Sequence, residues 1–263
     1  MARSKALINV LNLVNQEELP VERQFLNDLR ASIEIQDQKN SRKPSKTYKP
    51  SSLHCIRNMF YQVIGAEAQG ERSSSELVGI CESGSDRHER LQRAVTAMRD
   101  NNIDCEYCDV AEYVKSHSLD YLDIVSKQGM ETKLYHKEYN MSFLCDGIIR
   151  YKGKYYILEI KTETNNKFWN RENVNPDHIL QGTAYSLAFG IDDVLFLYEC
   201  RDSCTKKAFM LNVTDAMRNN LVQKILECNS YVEAQVPPPK PVDLSKGTCA
   251  YCGYAERCKQ DGD

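Results

Sequence analysis

The residues with the most chemical potential lie in MSFLCDGIIRYKGKYYILEIK, residues 141 to 161. Asp146 sits in one apolar run, the turn residues Lys152-Gly153-Lys154 follow, and a second apolar run carries Glu159 and Lys161. Strand side chains alternate faces, so Glu159 and Lys161 point the same way. If the two runs pair as a hairpin about Gly153, Asp146 and Glu159 meet across it. Two carboxylates and an ammonium at one place on a sheet can bind a hard divalent cation through oxygen and hold a water beside a phosphate.

A second chemical cluster closes the chain. CAYCGYAERC presents Cys249, Cys252 and Cys258, three thiols in one short stretch. A tetrahedral metal or an iron–sulfur cluster needs a fourth ligand, and Cys55, in SSLHCIRNMFYQVIG, is the candidate. All-sulfur ligation suits zinc or a [4Fe–4S] cluster. Cys105 and Cys108 form another CxxC, CEYC, with no second half nearby, and read as unliganded thiols. The chain has eleven cysteines. An odd count in a chain of this size, with no secretory signal evident, argues against a disulfide framework and for a reducing, cytoplasmic compartment.

The elements that must position these residues follow from the pattern. With 263 residues, 41% hydrophobic and 27% charged, the chain can bury a sizeable core. A net charge of −3 excludes a general polycation, so nucleic acid would be met by local basic patches. No apolar stretch is long enough to span a membrane. Residues 1 to 20 read as an amphipathic helix rather than a signal peptide. Residues 36 to 52 read as a linker or basic arm. Ser51 opens a helix carrying Cys55, Arg57 and Tyr61. Residues 66 to 83 read as loop, and Ser85 as the cap of a helix on which His88, Leu91, Val95 and Met98 share a face. His88 therefore points inward, as a core histidine or toward a site on a neighbouring sheet. Residues 109 to 131 read as a helix and a loop, and KLYHKEYNMSFLCDGIIRY as one or two strands. TETNNKFWNRENVN is polar and holds the only tryptophan, Trp169. Asn175-Pro176 starts a helix that ends at Gly190 and places Gln181 and Tyr185 on one face. Two strands follow. Thr214 then caps a long helix with Met217, Leu221, Ile225 and Cys228 inward, stopped by Pro237-Pro238-Pro239. The order describes an α/β core with an antiparallel start.

Taken together, these pieces resemble the RecB-like nucleases of the PD-(D/E)xK superfamily, specifically the Cas4-type exonucleases with an iron–sulfur cluster. The resemblance runs from about Ser51 to Cys258. SSLHCIRNMFYQ is similar to the family's first cysteine helix, although Ile56 stands where the family usually has proline. His88-Glu89 resembles its metal-binding histidine motif, Asp146 its aspartate, Glu159-Ile160-Lys161 its D/E-x-K motif, Gln181 and Tyr185 its QxxxY helix, and the closing cysteines its CxxC plus a later Cys. The resemblance implies a restriction-endonuclease-like core, a mixed sheet flanked by helices, with a cysteine-clasped iron–sulfur lobe. It implies an extension over residues 1–50 and one nuclease domain over 51–263. Cys55, Cys249, Cys252 and Cys258 would ligate a [4Fe–4S] cluster. His88, Asp146, Glu159 and the carbonyl of Ile160 would hold Mg²⁺ or Mn²⁺. Lys161 would position the attacking water, and Gln181 and Tyr185 would orient DNA or the lysine. The implied activity is a DNA exonuclease, often 5′→3′, on ends or single strands, in recombination, repair or CRISPR-type processing, with a partner protein from such a pathway. Two other readings are a catalytically silent DNA- or protein-binding module of the same fold, and a zinc-stapled adaptor.

Overall fold

The computed structural model describes residues 20–39, 44–68, 74–241, 249 and 252–262. The stretch read as an N-terminal amphipathic helix lies outside the described residues, except for Pro20. The chain divides into two units, residues 1–42 with 71–82, and residues 43–70 with 83–263. In the first, helix α1 (Val21–Lys39) buries no residue. Its Arg30 lies 3.4 Å from Glu76, and its Glu34 carboxylate accepts the Ser75 N–H.

The second unit holds the sheets. Its elements in order are a 3₁₀ turn (Pro50–Ser52), α2 (Ile56–Val63), most of α3 (Ser75–Asp100), β1 (Cys105–Cys108), α4 (Val110–Ser116), β2 (Leu122–Gln128), β3 (Glu131–His136), β4 (Met141–Cys145), β5 (Gly147–Tyr151) and β6 (Lys154–Glu163). Then come α5 (Asn165–Trp169), α6 (Pro176–Phe189), β7 (Asp193–Cys200), β8 (Lys206–Asn212), α7 (Asp215–Ala234) and α8 (Ala255–Gln260). The larger sheet runs β1-β5-β6-β7-β8. Its β6–β7 pair is parallel and its other pairs are antiparallel. A smaller antiparallel sheet runs β2-β3-β4. The fold is thus α/β, a mixed five-stranded sheet flanked by helices.

Local chemistry explains the punctuation. Lys152 and Gly153, both at positive φ, make the two-residue turn that joins β5 to β6. Asn175 caps α6 by accepting the Asp177 N–H, Pro176 takes the first turn, and Gly190 closes it in the left-handed region. Thr214 caps α7, and Leu221, Ile225 and Cys228 are its buried face.

Alternation along β6 sorts the core into two faces. Ile157 packs with Phe168, Tyr185, Phe196 and Tyr198 beneath α6 and α7. Leu158 and Ile160 pack on the other face with Leu91 of α3, where Val95 and Met98 also lie. Burying each such aliphatic side chain is worth roughly 1.5–3 kcal/mol.

Several expectations need correction. The helix expected to start at Ser85 starts at Ser75, inside the stretch read as loop. Gly79 and Gly84 disguised it, since each weakens a helix by about 1 kcal/mol. The loop expected before residue 131 contains β2, whose polar residues make a solvent-facing strand of the small sheet. The stretch read as one or two strands forms β3, β4 and β5, because a turn at residues 137–140 and a change of sheet at Asp146 interrupt it. Within the stretch read as a linker, α1 continues to Lys39. Tyr48 there is buried, bridges to Met141, and donates its hydroxyl to Asn229 at 2.7 Å.

Candidate active site

Asp146 is the single residue between β4, in the small sheet, and β5, in the large one. The β5–β6 register pairs Gly147 with Leu158, so one step further sets Asp146 opposite Glu159. The β3–β4 register pairs Cys145 with Thr132, so one step further sets Asp146 opposite Glu131. Where β5 ends, β6 has a bare edge, and Asp146 fills it. Its Oδ2 accepts the Ile160 N–H at 2.7 Å.

The carbonyl of Asp146 is fixed independently. Gln92 Nε2 donates to it at 2.7 Å, and the Tyr107 hydroxyl donates to it as well. Gln92 and His88 are one turn apart on α3. His88 Nδ1 lies 3.2 Å from Asp146 Oδ1, so the inward histidine reaches the sheet junction rather than ending in the core. Burial pushes His88 down, but its hydrogen bond to Asp146 and the Asp146 and Glu159 charges outweigh that and hold it above its ordinary value. Ligand atoms of His88, Glu131 and Asp146 all lie within 4.8 Å of one another. Burial and the Asp146 charge raise the Glu131 carboxyl, against the pull of His88.

Glu159 and Lys161 project from β6 toward α6. Glu159 is 2% exposed. Lys161 Nζ lies 2.6 Å from Glu159 Oε1. Gln181 knits the group together. Its Oε1 accepts from Lys161 at 3.0 Å, and its Nε2 donates to Glu159 Oε1 at 2.7 Å and to the Tyr185 oxygen at 2.9 Å. The Tyr185 hydroxyl then donates to the Leu144 carbonyl at 3.0 Å. Burial, then the Asp146 charge, pushes Glu159 up to about 7, although Lys161 and His88 oppose this. Burial lowers Lys161, but the Glu159 and Asp146 charges outweigh it and hold the ammonium above its ordinary value. Among the described residues, Glu159 Oε2 is buried with no partner. An orphaned, ionisable oxygen beside a second carboxylate is a site that a divalent cation would fit, since unpaired buried charge is costly and hard cations take oxygen ligands.

His178, a turn before Gln181, is pushed down to about 3 by burial and by the Lys161, Arg171 and Lys167 charges. It is therefore neutral. The Tyr198 oxygen accepts the Asn175 N–H and lies 2.9 Å from His178 Nδ1, with which it shares a hydrogen bond.

Of the residues picked out by sequence, His88, Asp146, Glu159, Ile160, Lys161, Gln181 and Tyr185 are drawn into one connected group. Glu131 was not picked out. Its signal is the second hairpin, whose turn at residues 137–140 sets it opposite Asp146.

The cysteines divide by position. Cys55, Cys249, Cys252 and Cys258 line one cavity of about 580 Å³. Asn58 Nδ2 donates to Cys252 Sγ at 3.4 Å, and Arg57 Nη1 to Cys258 Sγ at 3.3 Å. Arg57 is buried and also donates to the Pro238 and Cys258 carbonyls. Burial raises the Cys55 thiol. Cys105 and Cys108 sit three apart on β1 and so face opposite ways, which leaves CEYC no shared ligand position.

No known family's sequence model matches the chain, and no curated protein matches it. Among solved structures it is similar to SSO0001, at 14% identity and a TM-score of 0.48, over 89% of this chain and 96% of that one. It is also similar to an alkaline exonuclease, LHK-Exo, from Laribacter hongkongensis, at 12% identity and a TM-score of 0.44, over 73% of this chain and 90% of that one. The complex of LHK-Exo with dAMP aligns over the same shares at a TM-score of 0.41.

Proposed function

We propose that the chain is a divalent-metal-dependent deoxyribonuclease acting on DNA ends or single strands. The observation that carries this reading is the convergence of Asp146, Glu159 and Lys161, from separate strand positions, around a buried carboxylate oxygen with no partner. Asp146, Glu159, His88 and Glu131 would hold Mg²⁺ or Mn²⁺, with the Ile160 carbonyl beside them. When bound, such a cation polarises a phosphoryl oxygen and lowers the pKa of a water. Lys161 holds its proton and sets a positive charge where the phosphate gathers negative charge. Gln181 fixes the lysine and the glutamate relative to each other. Tyr185 anchors Gln181 to the Leu144 carbonyl, so the amide cannot turn over without breaking three hydrogen bonds.

The cysteine cavity we assign to a [4Fe–4S] cluster held by Cys55, Cys249, Cys252 and Cys258. Two sulfurs already accept N–H bonds, which help to set the potential of such clusters.

The test is digestion of end-labelled single- and double-stranded DNA by anaerobically purified protein with Mg²⁺ or Mn²⁺. Cleavage should require the metal and fall by at least about a hundredfold in Asp146→Ala, Glu159→Ala and Lys161→Ala, with folding retained. A folded, iron-loaded wild type that leaves DNA intact would move the assignment to a silent binding module.

A further inference from the structure

The one tryptophan lies just beyond the Glu159-Ile160-Lys161 segment. Trp169 ends α5, which directly follows β6. Its neighbour Phe168 is fully buried and takes the core position, leaving the indole 55% exposed.

The exposed ring is nevertheless held. Its Nε1 donates to Asn165 Oδ1 at 2.7 Å. Its plane meets Phe168 edge-on, centroids 5.3 Å apart. Lys207 Nζ lies 5.7 Å from its centroid and donates to the carbonyls of Phe168, Trp169 and Arg171. A surface indole that only shielded the core would not need its N–H, edge and backbone fixed separately. Held this way, it is pre-organised for a flat partner.

Register gives the distance to the site. Lys161 pairs with Tyr198, and Tyr198 with Lys207, so the three form a row on one face of the sheet. At about 4.8 Å per strand, Lys161 and Lys207 are about 10 Å apart along the sheet. Residues 165–171 carry Lys167 and Arg171 and no acid. Arg171 is held by Glu163, and the exposed acids nearby are Glu172 and Asp202.

Resting on the nuclease reading, we propose that Trp169 is a stacking platform for a base of single-stranded DNA next to the phosphate held at Asp146, Glu159 and Lys161. A paired base has its faces covered by its neighbours, so this platform selects an unpaired strand.

Trp169 is the only tryptophan, so emission excited at wavelengths beyond tyrosine absorption reports it alone. Metal-free protein in EDTA binds without cutting. Oligothymidylate should quench the emission, and an abasic oligomer of equal length should not. By anisotropy, Trp169→Ala should weaken oligothymidylate binding roughly tenfold, Trp169→Phe should keep most of it, and abasic binding should not change. Oligothymidylate that binds without quenching, and equally well to Trp169→Ala, would overturn the stacking role and leave the nuclease reading standing. No binding of oligothymidylate, together with no metal-dependent cleavage by the wild type, would overturn both.

Discussion

At the scale of the residue, Glu159 shows how the site trades stability for chemistry. Burial and Asp146 raise its carboxyl to about 7, above the ordinary 4.5. A folded state that binds the proton more tightly than the unfolded chain is stabilised by it at low pH. That stability is fully present below about 4.5 and is lost as the pH rises toward about 7. Glu159→Gln removes the titration but keeps an acceptor for Lys161 and Gln181. In EDTA, the variant should gain stability over the wild type across that window, reaching on the order of 2 kcal/mol at its upper end. Urea unfolding of both proteins at the acidic and alkaline ends of the window measures this. A difference independent of pH would show that the carboxyl titrates normally. Metal binding should shift the other way and strengthen as Glu159 ionises.

At the scale of the element, the site depends on how β4 passes into β5. A Cβ at Gly147 would lie 2.7–2.8 Å from the Tyr107 ring and hydroxyl, so the ring would have to move. That ring supports the Asp146 carbonyl. Gly147→Ala should therefore weaken Mn²⁺ binding several-fold in calorimetry, because ligand-supporting contacts of this kind matter about tenfold or more. Its melting temperature should fall only modestly, and unchanged affinity would mean that Tyr107 does not position Asp146. This is also where sequence reading reached its limit. The β5–β6 hairpin was legible, since apolar runs flank a Lys-Gly turn, and it correctly brought Asp146 to Glu159. The α6 caps and the Gln181–Tyr185 face were legible for the same reason, because their signals are local. The β3–β4 hairpin was not, because its turn, residues 137–140, has no glycine or proline. With it went Glu131. The first third of α3 was hidden by Gly79 and Gly84, whose propensity counts against a helix.

At the scale of the whole molecule, the two ends of the second unit are tied at the cysteine cavity. The Arg57–Cys258 contact spans 201 residues of sequence. Tyr61 adds a 2.7 Å bond to Asp261 and a ring contact with Tyr254 at 5.4 Å. A bound cluster would add iron–thiolate bonds from Cys55, Cys249, Cys252 and Cys258 to these contacts. Closing so long a loop reduces the entropy of the unfolded chain, on the order of 5 kcal/mol in the simplest account. Cys55→Ser should therefore lose iron and melt well below the wild type. Cys105→Ser, on a strand facing away from any second pair, should keep its iron. Iron analysis and thermal melts of the two variants decide it, and equal iron in both would refute the assignment of Cys55.

Asp146 faces Glu131 across one hairpin and Glu159 across the other, and all three meet only when both hairpins have closed in register. The crowding of three acidic side chains is thus absent from the unfolded chain and from any partly formed sheet. Their mutual repulsion therefore acts on the folded state, and a bound cation would relieve it. A cation that gathers the three would act as a latch on a structure that had already formed.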